Sequence, residues 1–137
     1  MSYNYRFIIA ENRAASGIFY SVIDYEKYEM KTGLNEQQFE EFLKTAKTKD
    51  VEVMRQMAYD FLSSQKINNA YCRSVVDACL ELAKNPSLTN DEFWSGVAAL
   101  DTKDLTKLER SNLRFVAGNM EILIFKGYVA IRGKYCL

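Results

Sequence analysis

The sequence predicts a single α+β domain, with about five helices and a small antiparallel sheet that the N- and C-terminal segments form together. Three observations support this class. Both ends of the chain are rich in β-forming residues, the middle carries apolar residues at helical spacing, and the tripeptide Thr-Lys-Asp occurs twice within a similar apolar frame. A length of 137 residues fits one domain.

The N-terminal segment, residues 1–33, is predicted to be β-rich. Residues 18–25 follow a polar loop and favour a second strand, although a helix over residues 14–30, ended by Gly33, remains an open alternative. The first strand is indicated by apolar and aromatic residues that alternate along the chain: Tyr3, Tyr5, Phe7 and Ile9.

Two helix-turn-helix hairpins, residues 34–68 and 87–119, are predicted from the repeated tripeptide. When Thr48 is aligned with Thr102, Phe39 meets Phe93 and Phe61 meets Phe115, so we expect both pairs to be buried. Convergence of two helix starts on Thr-x-Asp is the alternative explanation. Four residues are suitable N-caps for the four helices: Asn35, Thr48, Thr89 and Thr102.

The apolar spacing places helices over residues 36–46, 49–64, about 70–84 and 103–118. The segment 69–86 between the hairpins is apolar around most of its helical circumference, which predicts a central helix. That helix should end before Pro86. The C-terminal segment, residues 120–137, is predicted to be β-rich, with turns at Lys126-Gly127 and Gly133.

The composition narrows the classes of function. The chain has 18 basic and 18 acidic residues, which argues against a protein that coats nucleic acid by its overall charge. No apolar run is long enough to span a membrane, so no membrane partner is expected. Its three cysteines cannot all pair, and Cys72 and Cys79 lie two helical turns apart, too far for a disulfide within one helix. They are expected to be reduced core thiols, which indicates a cytoplasmic protein.

Candidate catalytic arrangements are absent from the sequence. Without histidine there is no Ser-His-Asp or Cys-His constellation, and no glycine-rich loop could cradle a phosphate. We therefore expect a non-enzymatic protein without a catalytic site, a cofactor or a metal.

Aromatic residues are concentrated in the N-terminal segment, and tyrosines are enriched at protein interfaces. We expect the chain to bind another protein or a second copy of itself, although core packing would explain the same residues. This hypothesis extends to a regulator or an inhibitor of the kind that phages and mobile elements encode. The candidate contact residues are Tyr3, Tyr5, Tyr20, Tyr25, Tyr28 and Trp94.

The C-terminal sequence also resembles the end of a winged-helix domain, in which a recognition helix runs into Lys-Gly-Tyr-Val and a short β wing. The matching residues are Leu123, Lys126, Gly127, Tyr128 and Val129. However, Phe115, Val116 and Gly118 occupy positions where that family would expose base-reading side chains. The resemblance implies nucleic-acid binding as the alternative function, with these candidate residues: Arg110, Arg114, Lys126, Arg132 and Lys134.

Overall fold

The computed structural model describes residues 6–100, 102–131 and 134–137, with residues 131 and 134 described by their backbone alone. Within this part of the chain, five helices and a five-stranded antiparallel sheet confirm the predicted α+β class. In chain order the elements are β1 (Phe7–Ala14), β2 (Gly17–Asp24), β3 (Glu29–Leu34), α1 (Glu36–Ala46), α2 (Val51–Ser64), α3 (Ala70–Ala83), α4 (Asn90–Ala98), α5 (Lys107–Lys126), β4 (Val129–Ile131) and β5 (Lys134–Cys136).

The sheet joins the two ends of the chain. Its strand order is β3-β2-β1-β5-β4, with every neighbouring pair antiparallel. The strand predicted over residues 18–25 is confirmed as β2, and the alternative helix over residues 14–30 is wrong. Residues 29–34, for which no strand was predicted, form the edge strand β3. Tyr3 and Tyr5 lie outside the described residues.

Two apolar clusters fill the interior. The smaller one lies between one face of the sheet and α1: Phe7, Ile9, Val22, Phe39, Leu43 and Leu137. The larger one lies among α2, α3, α4 and α5 and reaches the opposite face of the sheet through Val129 and Cys136. Helix α3 is central, as predicted, and contacts the other three helices of this cluster.

Asn35 and Thr89 cap α1 and α4 as predicted, but Thr48 and Thr102 do not cap α2 and α5. The N-cap of α2 is Asp50, whose carboxylate accepts the backbone N–H groups of the first turn at 2.9 and 3.3 Å. Thr106 caps α5 in a reciprocal capping box. The Thr48 hydroxyl accepts the N–H of Asp50 instead. A carboxylate that accepts two backbone N–H groups, or a complete capping box, stabilises a helix start more than a lone threonine hydroxyl does.

Helix α5 continues to Lys126, so residues 120–126 are helical, although the sequence predicted them to be β-rich. Met120 and Leu123 are buried in the helical cluster at a spacing of three residues. Their burial outweighs the β preference of the isoleucines and phenylalanine around them. Gly127 ends the helix in the left-handed conformation, with φ of 87°, and β4 begins two residues later.

The two predicted hairpins differ in their turns and in their environments: α1 ends at Ala46 and α2 begins at Val51, whereas α4 ends at Ala98 and α5 begins only at Lys107. Phe39 and Phe93 are both buried, as expected, but Phe39 packs against the sheet and Phe93 packs among the helices. Helix α1 contacts β2 and β3, whereas α4 contacts α3 and α5. Phe61 is buried, but Phe115 is 43% exposed, so the expectation that both would be buried is wrong for the second copy.

Candidate functional site

Tyr25 and Tyr28 lie in the turn that connects β2 to β3, and both are exposed. Tyr28 is 90% exposed and Tyr25 is 47% exposed; Met30, on β3, is 63% exposed. We call Tyr25, Tyr28 and Met30 the hairpin surface. Three large apolar side chains are therefore presented to solvent within six residues of chain.

Asp24 holds this turn in shape. Its carboxylate accepts the N–H groups of Glu26 at 2.9 Å and Lys27 at 3.2 Å, and it pairs with Arg6 at 3.4 Å. Burial by itself would raise the pKa of Asp24, but the hydrogen bonds from Lys27, Arg6 and Glu26 outweigh it and lower the pKa. Tyr28 closes the turn with φ of 54°, a left-handed conformation that is uncommon for a non-glycine residue. The hairpin surface is thus presented by a hydrogen-bonded turn.

A cleft of about 370 Å³ lies beside the hairpin, between the sheet and α1. Its apolar part includes Phe7, Val22 and Phe42. Its charged part carries both signs: Arg6, Asp24, Lys27, Glu29 and Lys31. The guanidinium of Arg6 lies 4.7 Å from the centre of the Phe7 ring. Because charges of both signs line it, this cleft is not the uniformly basic surface that a polyanion requires.

Strand β3 forms one edge of the sheet, so it has a neighbouring strand on one side only. Edge strands present backbone N–H and C=O groups that can pair with another chain. Val22 faces α1, and Lys31 is opposite Val22, so Lys31 faces α1 as well. Met30 is opposite Ile23 and therefore points to the other face. The two faces of this edge differ, because one is charged and the other is apolar.

Two of the sequence candidates have structural partners. The ring of Tyr20 stacks on Phe39, with centroids 3.9 Å apart, and burial followed by the charge of Glu11 raises the pKa of Tyr20. Trp94 is 38% exposed, and its indole N–H donates to the Glu121 carboxylate, which links α4 to α5. Tyr20 therefore packs against α1. Trp94 lies on α4, far from the hairpin surface along the chain.

The basic candidates do not gather into one described patch. Arg110 and Arg114 are exposed one turn apart on α5, whereas Lys126 lies at the end of that helix, about 18 Å further along the axis. Leu108 and Phe115, which are 70% and 43% exposed, lie on the same helix but at least about 100° around its axis from Arg110 and Arg114. Arg132 lies outside the described residues, and Lys134 is described by its backbone alone.

The residues that resemble a winged-helix domain have local structural roles. Lys126 and Gly127 end α5, Val129 is buried at the start of β4, and Tyr128 packs edge-on against Tyr135 at 4.9 Å. Strand β5 pairs with β1, and β4 pairs with β5, so both belong to the five-stranded sheet. The Lys-Gly-Tyr-Val pattern is explained by a helix end followed by a strand.

All three cysteines are buried. Burial raises the pKa of the Cys79 thiol to about 12, and burial also raises the pKa of Cys72. A thiol with such a pKa stays protonated at neutral pH and is a poor nucleophile. Cys72 and Cys79 therefore act as small apolar residues of the helical cluster.

Glu29, Met30 and Lys31 were not predicted as contact residues, because no strand was predicted over residues 29–34. A weak signal was available, since Met30 stands between the charged residues Glu29 and Lys31, and such an alternation is typical of an exposed edge strand. The exposure of Leu108 and Phe115 was not predicted either, since these residues fit an apolar helical stripe.

Compared with family models, curated proteins and solved structures, the chain matches none of them significantly. No helix in the described ranges is both long and apolar enough to cross a membrane.

Proposed function

We propose that this chain is a non-enzymatic module that binds a protein, either another one or a second copy of itself, through the hairpin surface and the adjoining edge of β3. The observation that carries this proposal is the exposure of Tyr25, Tyr28 and Met30 within six residues of chain, at an open sheet edge. Tyrosine offers a large contact area with a polar tip, and an open edge offers backbone hydrogen bonds. Such a module would regulate or inhibit its partner by occupying a surface.

The distribution of charge supports protein over nucleic acid as the partner. The formal net charge is zero, and the cleft beside the hairpin carries acidic and basic groups together. Affinity for nucleic acid rests mainly on basic groups that neutralise phosphates. Buried thiols support a reducing, intracellular compartment as the place of action.

Capture of partners from nuclease-treated lysate of the native cells tests this function. We expect the wild-type chain to retain a protein, and the Tyr28→Ser/Met30→Ser variant to retain at least about tenfold less of it, because exposed aromatic and apolar anchors dominate binding energy. Leu108→Ser is the matched control, since Leu108 is 70% exposed on α5. Equal loss in both variants, or no loss in the hairpin variant, would contradict the proposal.

If the chain binds nucleic acid instead, an electrophoretic shift assay should show tight binding of duplex DNA at low salt. The affinity should fall steeply as the salt concentration rises, and the Arg132→Ala/Lys134→Ala variant should not bind. That combination would replace protein binding as the function.

A further inference from the structure

We propose that the partner of the hairpin surface is a second copy of the chain, with β3 of each copy paired antiparallel about Met30. The inference rests on the proposed function, because it assigns the partner of the same surface. The pairing would join two five-stranded sheets into one continuous ten-stranded sheet. Three features of the molecule support this pairing: the regular part of β3, the charges that flank its centre, and the space beside it.

The regular part of β3 is centred on Met30. Glu29, Met30 and Lys31 lie opposite Asp24, Ile23 and Val22 in unbroken antiparallel register with β2. The register then shifts before Leu34, and Gly33 has φ of 68°, a conformation that favours glycine. A straight strand added to this edge would therefore meet three residues in regular geometry, with Met30 in the middle.

Backbone geometry and charge then select one register. Backbone groups of successive residues point to opposite sides of a strand, so two copies of one edge can pair only in alternate registers. In the register centred on Met30, Glu29 of each copy lies opposite Lys31 of the other. The adjacent permitted registers place Lys31 opposite Lys31, or Glu29 opposite Glu29. Opposite charges across a strand pair stabilise it and like charges destabilise it.

Both charged groups are available for this pairing. Glu29 and Lys31 are exposed, and neither makes an ion pair with another residue of the described chain. The ammonium of Lys31 lies 6.0 Å from the centre of the Phe42 ring, on the face that carries α1. Glu29 lines the same cleft as Lys31. The charges of a second copy would complement this edge twice, once on each side of Met30.

The apolar face of β3 and helix α1 are compatible with this arrangement. Met30 would meet Met30 on the face away from α1, next to Ile23 of each copy. A twofold axis perpendicular to the sheet keeps both α1 helices on one face. Helix α1 contacts β2 as well as β3, and Phe42 reaches Phe7 on β1. The two helix axes would then lie at least about 10 Å apart, the distance that packed helices need.

Sedimentation velocity over a concentration series tests the pairing. A contact this short predicts a weak dimer, with a Kd on the order of 10 to 100 µM. Glu29→Lys or Lys31→Glu alone should weaken it by about tenfold or more, because each change creates two like-charged pairs. The double variant Glu29→Lys/Lys31→Glu should restore dimerisation. A monomer throughout the series, or a folded double variant that fails to recover, would overturn the inference.

Cross-linking provides a second readout that does not depend on charge. In Met30→Cys, the two introduced thiols would lie opposite each other across the axis, so mild oxidation should give a covalent dimer. Tyr25→Cys is the control, since Tyr25 is exposed but lies outside the paired strand, and the native cysteines are buried. Equal cross-linking of the two variants would overturn the register. A monomeric chain that keeps a hairpin-dependent protein partner would overturn self-pairing and leave the proposed function standing.

Discussion

Phe61 and Phe115 stack on each other with ring centroids 5.7 Å apart, but they differ in exposure. Phe61 is 4% exposed and belongs to the helical cluster, whereas Phe115 is 43% exposed and covers it from outside. The sequence assigns both to an apolar helical stripe. Only the position of α2 and α5 relative to their neighbours decides which ring is covered.

This difference predicts unequal effects on stability. Phe61→Ala should lower the free energy of unfolding by about 3–5 kcal/mol, since it leaves a cavity in the helical cluster. Phe115→Ala should lower it by at most about 2 kcal/mol, because solvent already reaches part of that ring. Denaturant unfolding of both variants measures the two values. Similar losses would show that the rings contribute to the core equally.

Tyr135 is the second residue whose surroundings have a measurable consequence. Its hydroxyl donates to a Glu11 carboxylate oxygen at 2.8 Å. This hydrogen bond, with burial and the charge of Glu11, raises the pKa of Tyr135 to about 12. Since the ordinary value is 10.0, the folded chain holds this proton more tightly than the unfolded chain does.

The resulting stability is fully present below pH 10 and is lost as the pH rises towards 12. We expect the free energy of unfolding of the wild-type chain to fall across this interval more steeply than that of Tyr135→Phe. Denaturant titrations at several alkaline pH values measure the two slopes. Glu11→Gln is the partner control, because it removes the charge and should also reduce the slope. Identical slopes in wild type and Tyr135→Phe would exclude this role.

At the scale of elements, the start of α5 shows how local hydrogen bonds fix a boundary. Thr106 accepts the N–H of Glu109 at 3.1 Å, and the Glu109 carboxylate accepts the N–H of Thr106 at 3.1 Å. Thr102 is half-buried in the preceding loop. Both threonines precede apolar residues, but only Thr106 has a glutamate three positions later.

Replacement of the two threonines should therefore have unequal effects. Thr106→Ala should lower the free energy of unfolding by roughly 0.5–2 kcal/mol, because two backbone donors lose their arrangement at the helix start. Thr102→Ala should have a smaller effect, within about 0.5 kcal/mol. Thermal and denaturant unfolding of both variants compare them. A larger loss in Thr102→Ala would favour the helix start predicted from the repeated tripeptide.

At the scale of the whole molecule, the sequence was sufficient for the class, the sheet built from both ends and most helices. Helix α1 carries strong local signals, since Asn35 caps it and Phe39 and Leu43 mark its buried side. Strand β3 carries almost none, because its side chains are mostly exposed and Gly33 interrupts it. The end of α5 depends on burial of Met120 and Leu123 by distant elements, which local propensity does not contain.

The candidate site was predictable to the same degree. Tyr25 and Tyr28 were proposed as contact residues, and both are exposed in a turn. Tyr20 was proposed for the same reason, but the face it occupies depends on the register of β2 and on where α1 packs. Glu29 and Lys31 acquire a shared face only once β3 is paired with β2. The proposed pairing of their charges therefore depends on the sheet, and the sequence of residues 29–31 alone does not indicate it.

The pairing of β1 with β5 also determines the order in which the chain can fold during synthesis. Strands β1, β2 and β3 leave the ribosome before the helices do, but β1 lacks its second neighbour until helices α1 to α5 and β4 have been translated. The β1 edge of the nascent chain therefore stays open until β5 has been made, and its pairing with β5 is a step of high contact order. Early protection of this edge by chaperones, or fast translation of the helical part, would favour correct closure of the sheet.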